Sequence, residues 1–233
     1  ENPPTQVTGM ATGTVRSNGV DLFYETRGPE DGEPLVFIMG LSAQLVFWPE
    51  GLLDALEEND LVENTIVIFW SDHGYFLGEK GLWYKRKAFE RSARMPLIIS
   101  APGITGGTKS KKPVELLDLY PTLADLCGLK PPSTLEGRSL KPLLLDPDDE
   151  KWKKPAVTQV WHSKKAWGYS LRDERWRYTE WLEGRAGREL YDHANDPEEV
   201  NNLASSDVHQ EIVARMSTRL APFVRLKKHK RED

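Results

Sequence analysis

Thr65 to Gly103 read TIVIFWSDHGYFLGEKGLWYKRKAFERSARMPLIISAPG, a stretch in which apolar runs end in polar residues. The first run, Thr65–Trp70, is rich in β-branched and aromatic residues and shows no polar alternation. This pattern predicts a strand buried on both faces, as in a parallel sheet covered by helices. A second run, Pro96–Ser100, predicts another strand. The stretch therefore predicts an α/β domain with a mainly parallel sheet flanked by helices.

Polar side chains follow the first of these runs directly. Asp72 and His73 come two and three residues after Trp70, at the carboxyl end of the predicted strand, where open α/β sheets bind their ligands. A carboxylate suits a divalent cation such as calcium, and Lys85 in the loop between the runs would add a positive charge for a sulfate or phosphate. The residues alone favour a structural interpretation, in which Asp72 caps the next turn, His73 makes a routine hydrogen bond and the basic residues form a solvated face.

Composition narrows the class of protein. The 233 residues allow one large domain, or one domain with a small appendage. With 31 basic and 36 acidic residues the net charge is −5, and a dense basic cluster occurs at Lys227–Arg231, so nucleic acid is not an expected partner. No apolar run is long enough for a membrane helix, so no membrane partner is expected, and no signal peptide is recognisable. A removed signal would leave the same sequence, so the compartment stays open.

Further motifs follow in a fixed order along the chain. Together with Thr65–Gly103 they resemble the carboxyl-terminal part of a type I sulfatase, most closely the iduronate-2-sulfatase branch, over about residues 51–223. The motifs are Pro113–Leu123, Leu135–Leu140, Tyr169–Arg172, Arg177–Trp181, Glu189–Asp192 and Asp196–Glu199. The resemblance implies an incomplete alkaline-phosphatase/sulfatase-like fold and hydrolysis of a sulfate ester, on a small molecule or a sulfated sugar. By position, Asp72 and His73 match the metal-ligand pair, and Lys85 matches the lysine that binds the sulfate.

The catalytic nucleophile of that family is not recognisable. Type I sulfatases convert a Cys or Ser within Cys/Ser-x-Pro/Ala-x-Arg to formylglycine, and neither this motif nor the earlier acidic metal ligands are found, so formylglycine is not expected. Cys127 ends an apolar-periodic helix and lacks a following Pro-x-Arg, which favours a buried helix-end residue over a nucleophile. Calcium binding is expected to be weak, because one carboxylate supplies few of the six to eight oxygens that calcium takes.

The front of the chain differs from a sulfatase. Val15–Arg27 predicts a hairpin around Asn18-Gly19, and Leu35–Met39 predicts a strand that ends in Gly40–Ala43. This order resembles the amino terminus of an α/β-hydrolase, whose glycine loop contributes to an oxyanion hole. The predicted organisation is a leader (1–13), a hydrolase-like front (14–57), a partial sulfatase-like core (58–150), and a carboxyl-terminal subdomain with a basic tail (151–233).

The last segment predicts a small antiparallel α+β subdomain. Four strands are expected at Ala156–Trp161, Ala166–Arg172, Arg175–Leu182 and Arg188–Asp192, with a closing helix at Asp207–Phe223. Its tryptophans indicate either sugar stacking or core filling, and core filling is the favoured interpretation. They are Trp152, Trp161, Trp167, Trp176 and Trp181. The histidines of this segment lack the spacing of metal ligands and are assigned no role.

Three functions follow from these patterns. The first is a sulfatase-type protein without turnover as an isolated chain. The second is a serine esterase, for which Ser42 beside the glycine loop is the candidate nucleophile, although no acid–His pair accompanies it. The third is a non-catalytic remnant or interaction module, in which an exposed apolar strand edge would favour self-association.

Overall fold

The computed structural model describes residues 10–17, 20–27, 35–36, 52–163 and 166–225. They form two compact units. The first contains the described residues up to Phe69 together with Leu97–Ile104, and the second contains Trp70–Pro96 and the described residues from Thr105 onward. The predicted domain boundaries remain a prediction.

The first unit begins with the predicted hairpin. Strands β1 (Met10–Ser17) and β2 (Val20–Arg27) pair antiparallel, with Ser17 opposite Val20. The hairpin is therefore confirmed, while the turn residues Asn18 and Gly19 lie outside the described residues.

A three-stranded sheet lies in the same unit. Its order is β3 (Leu35–Val36), β4 (Ile66–Trp70) and β7 (Leu97–Ser100), and β3 runs parallel to β4. The described parts of the three segments predicted as strands thus share one sheet. Helix α1 (Leu52–Glu58) belongs to this unit as well.

Burial along β4 differs from the prediction. Ile66 and Ile68 are buried, whereas Val67 and Phe69 are only half-buried. Because successive side chains point to opposite faces of a sheet, one face of β4 is covered more completely than the other. Burial on both faces was therefore too strong a prediction.

The second unit opens with a short hairpin and three short helices. Strands β5 (Phe76–Leu77) and β6 (Trp83–Tyr84) pair antiparallel, and α2 (Glu90–Ala93), α3 (Leu119–Leu126) and α4 (Lys141–Leu145) follow. A 3-10 turn precedes α3, and Gly128 with φ 67° ends it, as the apolar periodicity predicts. Cys127 caps this helix but is half-buried, so the expected full burial is wrong.

The carboxyl-terminal sheet confirms the predicted subdomain. Its four strands are antiparallel in the order β11-β10-β9-β8, and α5 (Gln210–Arg225) packs on β9 and β10. The strands are β8 (Ala156–Ser163), β9 (Ala166–Arg172), β10 (Trp176–Trp181) and β11 (Arg188–Asp192). The core between sheet and helix consists of Leu171, Trp176, Tyr178, Leu190, Val213, Met216 and Leu220. Within the described ranges, no helix is both long and apolar enough to cross a membrane.

Candidate functional site

The structure brings the three predicted site residues together. Lys85 Nζ lies 2.6 Å from His73 Nε2, and Asp72 Oδ2 lies 3.2 Å from the same nitrogen. Asp72 is exposed, while His73 and Lys85 are half-buried. A carboxylate, an imidazole and an ammonium group thus meet within the second unit.

Hydrogen bonding assigns the tautomer of His73. Its Nδ1 lies 2.7 Å from the carbonyl oxygen of Gly74, which can only accept, so Nδ1 carries the proton. Nε2 then presents a lone pair, which accepts a hydrogen bond from Lys85. The lone pair and the Asp72 carboxylate are both electron-rich, so their proximity favours a positive charge next to them.

Close packing of Gly74 holds this turn in place. The Gly74 N–H donates to the carbonyl of Ser92 in α2 at 2.9 Å. A Cβ at position 74 would lie 2.1 Å from the backbone oxygen of Arg91, so only glycine fits. The hydroxyl of Ser71 also donates to the carbonyl of His73, at 2.9 Å. The turn that carries His73 is therefore fixed against α2.

Lys85 stands between two residues with left-handed backbone. Tyr84 has φ 69° and Arg86 has φ 71°, a region that non-glycine residues rarely occupy. Such strain persists only where surrounding contacts impose it, and it concentrates at functional sites. The backbone of Lys87 also donates to the Ser92 hydroxyl at 3.3 Å, which attaches the loop to α2.

The three predicted site residues line a cleft of about 700 Å³. Asp72, His73, Lys85 and the neighbouring Arg86 and Lys87 contribute to its lining, together with residues of β8 and Trp167. The volume lies within the roughly 300–1,000 Å³ of small-molecule sites. Three consecutive basic residues against one exposed carboxylate make this part of the cleft suited to an anion.

A second cluster of charged side chains lies elsewhere in the second unit, and sequence analysis missed this group. One ligand-type atom from each of Glu90, His193 and Glu199 falls within 4.8 Å of the others. Arg177 donates to Glu90 and, from Nε at 2.5 Å, to Glu199, while His193 Nε2 lies 2.8 Å from Glu199. Because Arg177 pairs with both carboxylates and Arg172 Nε lies 3.6 Å from Glu90, we interpret the group as a structural ion-pair network.

Electrostatics within the network agree with that interpretation. Burial alone would raise the pKa of Glu199, but the hydrogen bond with His193 and the charge of Arg177 outweigh it and hold the pKa below its ordinary value. Burial lowers the pKa of Arg172, against the raising effect of nearby Glu90. The sequence contained these residues as separate motifs, and only the fold shows that they meet.

Comparison with known proteins establishes the family. The family model described as N-sulphoglucosamine sulphohydrolase, C-terminal, matches residues 78–226. The chain belongs to this sulfatase family. The matched segment contains Lys85, much of the cleft lining and all of the carboxyl-terminal sheet, while Asp72 and His73 precede it. The resemblance to the carboxyl-terminal part of a sulfatase is confirmed.

Individual sulfatases extend this finding. Arylsulfatase K of Homo sapiens is 35% identical over 158 residues, which are 64% of this chain and 30% of that protein. Delta 4,5-hexuronate-2-O-sulfatase of Bacteroides thetaiotaomicron is 34% identical over 186 residues, 75% of this chain and 38% of that protein. The chain therefore spans roughly a third of the length of these curated relatives.

Solved sulfatase structures show the fold. BT4656 in complex with its substrate D-glucosamine-2-N,6-O-disulfate superposes with a TM-score of 0.69 at 29% identity, over 78% of this chain and 39% of that one. BT1596, a 2-O GAG sulfatase, superposes with a TM-score of 0.66 at 32% identity, over 76% and 40%. The fold is thus of the alkaline-phosphatase/sulfatase type, of which the described residues form a part.

The esterase hypothesis concerns another part of the chain. Ser42 and the loop Gly40–Ala43 lie outside the described residues, as do residues 37–39 of the predicted strand. The hydrolase-like front and the serine esterase therefore stay predictions.

Proposed function

We propose that this chain contributes an anion-binding site to a sulfuric ester hydrolase, with Lys85 on the sulfate group and Asp72 and His73 on a divalent cation. The contact that carries the proposal is the 2.6 Å approach of Lys85 Nζ to His73 Nε2, beside the Asp72 carboxylate. The substrate class is a sulfate ester, and the sulfated sugars named for similar structures favour a sulfated sugar. The fold that we propose for the complete sulfatase-like domain is a mainly parallel sheet flanked by helices.

The donor atoms fit a cation in part. Asp72 offers a hard carboxylate oxygen, and His73 can offer its Nε2 lone pair once Lys85 gives up its hydrogen bond to that nitrogen. Calcium takes six to eight oxygen ligands, so these two donors alone give weak binding. A bound cation would neutralise charge on the sulfate oxygens.

Lys85 has a distinct role in this proposal. Its ammonium group is a point charge with three donors, one of which the His73 lone pair accepts. When a cation takes that lone pair, all three donors of Lys85 can point to sulfate oxygens in the cleft. Because the sequence lacks a formylglycine motif, we propose that the isolated chain binds the sulfate group without turning over the ester.

Calorimetry with inorganic sulfate tests this assignment. Lys85→Ala removes a charge-assisted contact of about 1.5–3 kcal/mol, so the dissociation constant should rise roughly 10- to 100-fold. The matched control is Lys151→Ala, an exposed lysine that does not line the cleft. Equal affinity in the two variants would remove Lys85 from the site.

A parallel assay tests the absence of turnover. Incubation of the isolated chain with 4-nitrophenyl sulfate should release no 4-nitrophenol above the buffer rate. Release that disappears in Lys85→Ala would show that the chain is a working sulfatase and would overturn the inactive assignment.

A further inference from the structure

Burial divides the tryptophans of the carboxyl-terminal segment into two groups. Trp152 and Trp176 are 2% and 5% exposed, and the half-buried Trp181 covers Gly168 and donates its Nε1 to Glu189. These three fill the interior, as the sequence analysis favoured. Trp161 and Trp167 are instead 46% and 38% exposed. For this pair, core filling is the wrong interpretation.

The exposed pair forms one continuous surface. Trp161 on β8 and Trp167 on β9 are direct cross-strand partners, with ring centroids 6.5 Å apart and ring planes tilted by 38°. The β8–β9 ladder shifts register between Trp161 and Ser163. Such bulges re-aim side chains and are frequent beside active sites.

Both tryptophans line the same cleft as Asp72, His73 and Lys85. Side chains of β8, including Gln159, add polar atoms to the lining, and Gln159 Nε2 donates to the hydroxyl of Tyr169 at 3.1 Å. Aromatic surfaces with a few placed polar groups are typical of small-molecule sites. The cleft therefore joins an anion-binding part to an aromatic part.

We infer that Trp161 and Trp167 form a subsite for the sugar ring adjacent to the sulfated ring, so that the ligand is a saccharide of at least two rings. This inference rests on the proposed function. The 38° tilt favours a sugar over a flat aromatic group, because the two rings do not form a parallel-walled slot. An angled pair instead offers two differently oriented ring faces to the C–H groups of a puckered ring.

The test compares ligands that differ by one ring. Calorimetry with glucose 6-sulfate and with cellobiose sulfated at the 6-position of its non-reducing ring measures the contribution of the second ring. The disaccharide should bind about tenfold more tightly, the scale of one aromatic contact. Trp161→Ala and Trp167→Ala should each remove most of this gain and leave glucose 6-sulfate unchanged. Trp161→Phe should keep part of it.

Controls separate the subsite from the sulfate site. Tyr120→Ala removes an exposed aromatic residue of α3 that does not line the cleft, and it should change neither affinity. If an alanine variant fails to fold, Trp161→Gln and Trp167→Gln remove the ring at similar side-chain length. Lys85→Ala should weaken both sugars by the same factor.

Each outcome decides between the two proposals. Equal affinity for the two sugars, with no effect of the tryptophan variants, overturns the subsite while the Lys85 assignment stands. A tryptophan-dependent gain, together with affinities for both sugars that Lys85→Ala leaves unchanged, supports the subsite and overturns the sulfate assignment. If the tryptophan variants weaken the binding of 4-nitrophenyl sulfate as much as they weaken the binding of the disaccharide, the sugar specificity is overturned. If neither sugar binds, both proposals are overturned.

Discussion

Glu199 Oε2 accepts the backbone N–H of Glu90 at 2.8 Å across 109 positions of sequence. Glu90 is the first residue of α2, and the carbonyl of Ser92 in that helix accepts the N–H of Gly74 beside His73. A chain of hydrogen bonds thus leads from the loop after β11 to the candidate site. The carboxyl-terminal subdomain therefore has a part in positioning residues that lie far before it in sequence.

Removing the charge of Glu199 should destabilise the second unit. Glu199 is 2% exposed and Arg177 equally so, and breaking such a buried ion pair typically costs about 3–5 kcal/mol. We expect Glu199→Gln to lower the free energy of unfolding by that amount in urea denaturation. Glu198→Gln is the matched control, because Glu198 forms an exposed pair with Arg91 that is worth about 0–1 kcal/mol. Equal losses in the two variants would contradict the structural role of the network.

Adding one methyl group at Gly74 should displace the turn that holds His73. The new Cβ would lie 2.1 Å from the Arg91 backbone oxygen, so backbone must move, at a cost of about 1–3 kcal/mol. We expect Gly74→Ala to lower the melting temperature and to weaken sulfate binding. Gly106→Ala serves for comparison, since a Cβ there meets nothing within 4 Å. Unchanged sulfate affinity in Gly74→Ala would show that α2 does not position the site.

Acid should destabilise the fold partly through Asp192. The hydrogen bonds from Arg175, at 2.8 and 2.7 Å, lower the pKa of this carboxyl to about 2, whereas an unfolded Asp titrates at about 3.9. Because the folded pKa is the lower one, the stabilisation is complete above about pH 4 and is lost as the pH falls towards 2. The free energy of unfolding, measured at pH 7, 4 and 2.5, should therefore fall less steeply with decreasing pH for Arg175→Gln than for the unmodified chain.

The control for the acid experiment is Arg215→Gln, an exposed arginine on α5. It should follow the pH dependence of the unmodified chain. Arg175 is itself exposed, so salt should screen the effect and reduce it. An Arg175→Gln curve parallel to the unmodified one would exclude this pair as a source of acid sensitivity.

Calcium affinity should be low. Two donors, Asp72 and His73, supply a small part of the usual coordination shell, so we expect a dissociation constant of about 1 mM or weaker by calorimetry. Asp72→Asn should abolish the residual binding, whereas Asp148→Asn, an exposed aspartate outside the cleft lining, should not. Submicromolar binding would mean that further ligands complete the site.

Much of the carboxyl-terminal subdomain follows from sequence. Alternating apolar residues separated by polar turns predict β8 to β11 to within a few positions, because a half-buried antiparallel strand needs that period. The proximity of Asp72, His73 and Lys85 was also predicted, from the family resemblance. Their roles on metal and sulfate stay predictions.

Other features depend on contacts that no local pattern records. Glu90, Arg177 and Glu199 belong to three separate motifs, and their meeting requires the fold. Likewise, which tryptophans are buried and which are exposed depends on strand register and on the bulge after Trp161. A periodic pattern shows that an aromatic residue lies in a strand, but it does not show whether another element covers its ring.

The hydrogen bond between Glu199 and Glu90 has a consequence for dissecting the protein. A fragment that ended at Asp192 would retain Asp72, His73, Lys85 and both cleft tryptophans, and yet it would lack the acceptor that anchors the start of α2. The residues that we propose to contact the ligand therefore cannot be moved to another protein as one short segment. Transplanting the segment around Lys85 into another scaffold would require a replacement for Glu199, supplied from a distant part of the new chain.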